Sequence, residues 1–120
     1  MEDYDGAIEA YKSAVEVNLS HDGALYELAY CLDITGQLES SVSYYQKFID
    51  KDPYSAAAWY NLGIVYNKLE KYEEALHAYD YALTIDETFA SASFNMGNTH
   101  MNLQQYTKAL DSFKKTIELE

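Results

Sequence analysis

The sequence predicts an all-α fold of about seven helices, in which antiparallel helix pairs stack into a repeat array. The first observation is a 34-residue period: aromatic or aliphatic residues recur at this interval, as at Tyr4, Leu38, Tyr72 and Tyr106. The second is apolar spacing of three and four residues within each period, which is typical of amphipathic helices. The third is a content of one proline and five glycines, which suits long helices and short turns. A period of this length indicates a stacked array with one continuous core.

Each period contains two helical stretches separated by a short break. Between the apolar stripes that end at Leu69 and begin at Tyr72, Glu70 and Lys71 leave room only for a tight turn. The two helices of a pair must therefore run antiparallel. The same spacing predicts helices at 4–17, 22–35, 38–51, 56–69, 72–85, 90–103 and 106–119.

The repeat boundaries divide the chain into a half repeat and three repeats that we expect to form one domain. The half repeat, 1–21, supplies only a second helix, and the repeats span 22–55, 56–89 and 90–120. Pro53 cannot continue the helix before it, and Ser55 is a plausible N-cap for the next one. The first unit lacks its partner helix and the last stops after its second helix, so both ends would expose apolar faces. This pattern indicates a fragment of a longer array, or a protein that covers its ends by forming a homo-oligomer.

Charge excludes two classes of partner. The net charge is −12, from 20 acidic and 8 basic residues. A nucleic-acid backbone or an anionic membrane would be repelled, and no cluster of basic residues opposes this. No apolar run approaches the length that spans a bilayer.

The sequence also gives no sign of an enzyme, a metal site or a cofactor. His21, His77 and His100 lie in different units without ligand spacing. No serine or cysteine has a base nearby in the sequence, and no glycine-rich loop is present to hold phosphate. Cys31 is the only cysteine, so no internal disulfide can form. This favours a reducing compartment such as the cytoplasm without deciding the location.

The middle unit resembles the tetratricopeptide repeat. The residues that carry the resemblance are Trp59, Leu62, Gly63, Tyr66, Tyr72, Ala75, Tyr79 and Ala82. Pro53 stands at the closing proline of the preceding unit, and the resemblance extends over 4–120. Three positions depart from the family pattern: Ser41 replaces alanine, Glu87 replaces proline, and His100 takes the Tyr66 position. We expect these departures to loosen the packing of the first and third repeats.

The resemblance implies a right-handed superhelix whose first helices line a concave groove that binds a peptide segment or a helix of a partner protein. The candidate groove residues are Tyr26, Glu27, Tyr30, Tyr60, Asn61, Ile64, Phe94, Asn95 and Asn98. The same mapping adds Asp33, Ile34, Asn67, Lys68, Met101 and Asn102. Most acidic residues fall on the second helices, so the negative charge is expected mainly on the convex face.

These groove positions favour some ligands over others. Asn61 and Asn95 could donate to and accept from a peptide backbone, or they could simply be solvated. Tyr26, Tyr30 and Tyr60 are expected to anchor a partner, because the fold does not require aromatic residues there. The C-terminal carboxylate of a chaperone is not expected to bind, because the positions that grip it in some family members carry no cation here. These positions are Tyr26, Tyr30, Asn61, Ser91 and Asn95.

We therefore expect a non-enzymatic interaction scaffold. The alternatives are a structural module that associates with itself, and an accessory region of a larger complex or enzyme.

Overall fold

The computed structural model describes residues 4–17 and 22–120, and these residues form seven α-helices and no strand. The helices are α1 (Tyr4–Val17), α2 (Asp22–Ile34), α3 (Leu38–Lys51), α4 (Ala56–Lys68), α5 (Tyr72–Ile85), α6 (Ala90–Asn102) and α7 (Tyr106–Leu119). The predicted all-α fold of stacked helix pairs is confirmed. Each helix boundary lies within one residue of its prediction, because the apolar spacing and the short breaks mark both ends.

The helices group into two compact units, Met1–Pro53 and Tyr54–Glu120. In the first unit, α2 packs against both α1 and α3. In the second unit, α5 packs against both α4 and α6, and α6 packs against α7. The division into one half repeat and three repeats of a single domain stays a prediction.

A left-handed residue ends the first helix of each complete pair. Gly36, Glu70 and Gln104 have φ angles of 82°, 61° and 59°, and they lie one period apart. Each reversal is closed by a backbone hydrogen bond back into the helix, such as the 2.9 Å bond from the Lys71 amide to the Tyr66 carbonyl. This geometry is the usual C-terminal cap that satisfies the last carbonyl groups of a helix. The turns place the second helix of each pair antiparallel to the first.

The predicted N-cap of α4 is confirmed. Ser55 has an extended backbone, and its side chain accepts a hydrogen bond of 3.2 Å from the Ala58 amide. This bond satisfies one of the amides that have no partner inside the first turn of a helix. The first turn of α4 is thereby capped by a single hydroxyl group.

Two of the three departures from the family pattern, Ser41 and His100, are buried and hydrogen-bonded. Ser41 is fully buried, and its hydroxyl donates to the Ala29 carbonyl at 2.7 Å. His100 is buried with its Nδ1 atom 2.8 Å from the Gln105 Oε1 atom. Both side chains occupy their core positions with a polar contact, so the structure does not show the loose packing expected there.

The turn before α6 holds its shape without the family's proline. Asp86 Oδ1 accepts hydrogen bonds from the Thr88 amide at 3.1 Å and from the Thr88 hydroxyl at 2.6 Å. This is a side-chain turn of the kind that aspartate favours. It explains how Glu87 can stand at the position of proline.

Candidate partner-binding surface

In the first unit, the predicted residues of α2 lie on one helix face. Tyr26, Tyr30 and Asp33 follow each other at spacings of four and three, with Glu27 and Ile34 beside them, so they share a stripe. Tyr30 is 43% exposed and Ile34 40%, and Glu27 is also exposed. Asp33 is buried, with 9% of its surface exposed. The face therefore combines exposed side chains with one buried carboxylate.

Tyr26 has a packing role that the sequence did not predict. Its half-buried ring meets Tyr45 edge-on with centroids 5.8 Å apart, and meets Phe48 edge-on at 5.2 Å. Edge-to-face pairs of this kind stabilise a core. Tyr30 is thus the more accessible of the two tyrosines on this face.

The hydroxyl of Tyr45 lies beneath this face. Tyr45 is fully buried, and its hydroxyl has no hydrogen-bond partner among the described residues. Burial raises the pKa of this phenol well above its ordinary value, and Tyr26, Asp33, Tyr30 and Glu27 raise it further. The phenol therefore stays neutral at physiological pH and borders the α2 face.

An open apolar cavity adjoins the same region of the first unit. It has a volume of about 530 Å³ and is lined by Ala10, Tyr11 and Ala14 of α1, Gly23, Ala24, Tyr26 and Glu27 of α2, and Phe48 of α3. Among the described residues of this lining, Glu27 alone is charged. A concave apolar surface with one placed polar group is a typical ligand-binding feature.

In the second unit, Tyr60 of α4 and Asn95 of α6 are joined by a hydrogen bond. The Asn95 side-chain amide donates to the Tyr60 hydroxyl at 2.9 Å. The Tyr60 ring also packs against Phe89 at a centroid distance of 4.8 Å and against Tyr79 at 6.0 Å. Tyr60 therefore combines a packing contact with a polar one.

Tyr60, Phe94 and Asn95 line one cavity of the second unit. The cavity has a volume of about 270 Å³, and Ala90, Ser91 and Glu120 complete its lining. Phe94 is 48% exposed. Three of the nine predicted groove residues are thus brought together around an exposed aromatic ring.

The other predicted residues of the second unit lie on the same two helices but outside that cavity. Asn61 and Ile64 are half-buried on α4, and Asn98 is exposed on α6. Thr99 was not among the predicted residues; it is fully buried, and its hydroxyl donates to the Asn67 Oδ1 atom at 3.1 Å. The available signal was a polar residue one period after Val65, at a position where the repeat buries an aliphatic side chain.

Across residues 4–17 and 22–120, no three His, Cys, Asp or Glu side chains group as a metal site would need. Within the same ranges, no helix combines the length and the apolar character needed to cross a bilayer.

Family models of the tetratricopeptide repeat match residues 1–56, 56–89 and 90–120, which together cover the whole chain. The chain belongs to the tetratricopeptide repeat family. No curated protein sequence matches it significantly.

Among solved structures, the tetratricopeptide-repeat chain is similar to MamA. One crystal structure of MamA matches with a TM-score of 0.95 and 26% identity over 98% of this chain and 69% of the MamA chain. A second matches with a TM-score of 0.94 and 26% identity, over 98% of this chain and 64% of that one. MamA 41-end from Desulfovibrio magneticus RS-1 shares the fold with a TM-score of 0.93 at 22% identity, over 97% of this chain and 66% of that one. The chain thus spans about two-thirds of the MamA chains that it matches.

Proposed function

We propose that this interaction scaffold binds an extended segment or a helix of a partner protein through the exposed faces of its first helices, and that it performs no catalysis. The observation that supports this most strongly is the cavity of the second unit lined by Tyr60, Phe94 and Asn95. Its half-exposed phenylalanine offers apolar contact area beside a hydrogen-bonded pair. Rigid aromatic residues of this kind often dominate the energy of protein interfaces.

The polar pair fits a peptide backbone. The Asn95 amide uses one of its N–H donors on the Tyr60 hydroxyl, while its carbonyl oxygen can still accept. The Tyr60 hydroxyl accepts that bond and can itself donate. The pair therefore offers a donor and an acceptor side by side, which is what an extended segment needs for its carbonyl and amide groups.

The test is affinity capture of partners with the intact chain and two double variants. The Phe94→Ala/Asn98→Ala variant removes exposed side chains from the proposed surface without touching the packed Tyr60. The Tyr54→Ala/Thr107→Ala variant removes an exposed aromatic and an exposed polar side chain elsewhere in the second unit. Proteins retained by wild type should be lost from the first variant and kept by the second. Retention of the same partners by the first variant would contradict binding at this surface.

Self-association is a second candidate, supported by an uncovered stripe on α7. Leu110 and Ile117 are 53% and 73% exposed. One period earlier, Leu76 and Leu83 of α5 are only 8% exposed, and Leu83 clusters with Ala92 of α6. The α7 stripe thus has the character of a face that another helix covers.

Light scattering over a range of protein concentrations tests this candidate. Wild type should gain mass as its concentration rises, and Leu110→Gln/Ile117→Gln should stay monomeric. A matched Lys114→Gln/Glu118→Gln variant changes exposed polar residues of the same helix and should behave as wild type. A wild-type chain that is monomeric at the highest concentration would exclude this role.

A further inference from the structure

The α2 face differs in charge from the equivalent faces of α4 and α6. Glu27 and Asp33 correspond to Asn61 and Asn67 one period later, and to Asn95 and Met101 two periods later. The stretch 22–46 contains no lysine or arginine. Of the three first helices, α2 alone therefore presents carboxylates at these positions.

The carboxylates of this face lie next to aromatic rings. Tyr30 and Glu27 are exposed, Asp33 is buried, and Tyr26 is held in place by its edge contacts with Tyr45 and Phe48. A cation above a tyrosine ring is attracted by the ring's negative face, and more strongly where water is partly excluded. A carboxylate beside such a ring adds a charge-assisted hydrogen bond.

The Tyr45 hydroxyl is a further polar group beside this face. It is fully buried, borders Tyr26 and Asp33, and has no hydrogen-bond partner among residues 4–17 and 22–120. A buried polar group without a partner is uncommon and destabilising. Its oxygen can still accept a hydrogen bond.

We propose that the Tyr26, Glu27, Tyr30 and Asp33 face of α2 binds a lysine or arginine side chain of the partner segment. The inference rests on the proposed function, because it names the chemistry of the segment that the scaffold would hold. An ammonium or guanidinium group donates several hydrogen bonds at once and carries the charge that both carboxylates favour. An acidic segment would meet like charges here and would be repelled.

The probe is an acetylated hexa-arginine amide, compared with a hexa-citrulline peptide of the same shape without charge. Calorimetric titration of the intact chain at physiological salt should show binding of the first peptide and not the second. Glu27→Gln/Asp33→Asn should weaken the binding by about tenfold or more, the usual effect of losing charge-assisted hydrogen bonds. The matched Glu39→Gln/Asp50→Asn variant removes two exposed carboxylates from α3 and should change the affinity by less than about twofold, because exposed charges are screened.

Three outcomes would overturn the proposal. They are no binding of hexa-arginine by wild type, unchanged binding by Glu27→Gln/Asp33→Asn, and equal weakening in both double variants, which would indicate general attraction to the acidic chain. Circular dichroism checks that each variant is folded. If Asp33→Asn unfolds the first unit, Glu27→Gln/Tyr30→Leu replaces the double variant, since both of these side chains are exposed.

The proposed function is judged separately by partner capture with Phe94→Ala/Asn98→Ala. Loss of capture there, with no effect on hexa-arginine in the α2 variants, would overturn this inference alone.

Discussion

At Gly63 and Gly97, the absence of a side chain makes room for an aromatic ring of the facing helix. A Cβ atom on Gly63 would lie 2.5 Å from Cε1 of Tyr79, and one on Gly97 would lie 2.5 Å from Cε1 of Phe113. Non-bonded carbon atoms do not approach each other this closely, so each glycine provides the space that its partner ring fills. The first unit has Ala29 at the equivalent position, and both Ala29 and the facing Tyr45 are fully buried. The α2–α3 pair therefore accommodates the methyl group of Ala29 beside Tyr45, whereas the α4–α5 pair leaves no space for one at Gly63.

We predict that Gly63→Ala lowers the free energy of unfolding by about 1 to 3 kcal/mol, because the buried Tyr79 ring has to shift. Chemical denaturation of the purified variant measures this. In the double variant Gly63→Ala/Tyr79→Leu the clash is removed, so the total loss should be smaller than the sum of the two single losses. Strict additivity would show that the two side chains do not compete for the same space.

The buried hydroxyl of Tyr79 gives a prediction of opposite sign. It has no hydrogen-bond partner among the described residues, although Asn67 lies near enough to oppose part of the rise in its pKa. Tyr79→Phe should leave the free energy of unfolding unchanged or raise it by up to about 1 kcal/mol, because an unsatisfied polar group is removed. Phe113 already occupies the equivalent position in the last repeat. A loss of more than about 1 kcal/mol would indicate that Asn67 satisfies the hydroxyl in solution.

At the scale of elements, the reversal between paired helices depends on one left-handed residue. Only Gly36 adopts this conformation without a steric penalty, whereas Glu70 and Gln104 adopt it with a Cβ atom present. The repeat tolerates the penalty because the helices on either side are held by their packing. The turns at Glu70 and Gln104 therefore carry a steric penalty that glycine would relieve.

Glu70→Gly should raise the free energy of unfolding by about 0.5 to 1 kcal/mol, which is the steric penalty relieved less the added entropy of the unfolded chain. Thermal and denaturant melts measure the change. Lys71→Gly is the matched control, because Lys71 has a φ of −91° and glycine there brings only the entropic loss. If both substitutions destabilise the protein equally, the left-handed geometry at Glu70 has no energetic consequence.

At the scale of the whole molecule, two buried tyrosines link stability to alkaline pH. Tyr45 in the first unit and Tyr79 in the second have pKa values raised above the ordinary 10.0, mainly because burial disfavours the charged phenolate. The folded state therefore keeps both protons while the unfolded state releases them. This contribution to stability is fully present below pH 10 and is lost as the pH rises above it.

The urea concentration at the midpoint of unfolding should accordingly decrease as the pH rises above 10. In Tyr45→Phe/Tyr79→Phe the decline should be shallower, because neither residue can ionise. Tyr54→Phe/Tyr106→Phe, which changes two exposed tyrosines, should reproduce the wild-type profile. The same decline in the buried-tyrosine variant and in wild type would assign the alkaline sensitivity to other groups.

The helices were predicted to within one residue, whereas the binding role of the candidate surface stays a prediction. Tyr30, Phe94 and Asn98 are exposed. Tyr26 and Tyr60, expected to be contact residues alone, also pack against aromatic residues of other helices. Helical spacing gives the direction of a side chain but not which residues of other helices it contacts. The packing of Tyr26 and Tyr60 could therefore not be predicted.

The sequence by itself determined the all-α fold, the helix boundaries and the repeat family, because these depend on local spacing and on a period that recurs along the chain. Only the tertiary structure decided which side chains meet: the Asn95–Tyr60 hydrogen bond, the Thr99–Asn67 contact, and the Tyr45 hydroxyl beneath the α2 face. These contacts join residues on different helices, and their distances depend on how closely the helices pack. That closeness is set by small residues such as Gly63 acting together with the rings that face them, which no single stretch of sequence specifies.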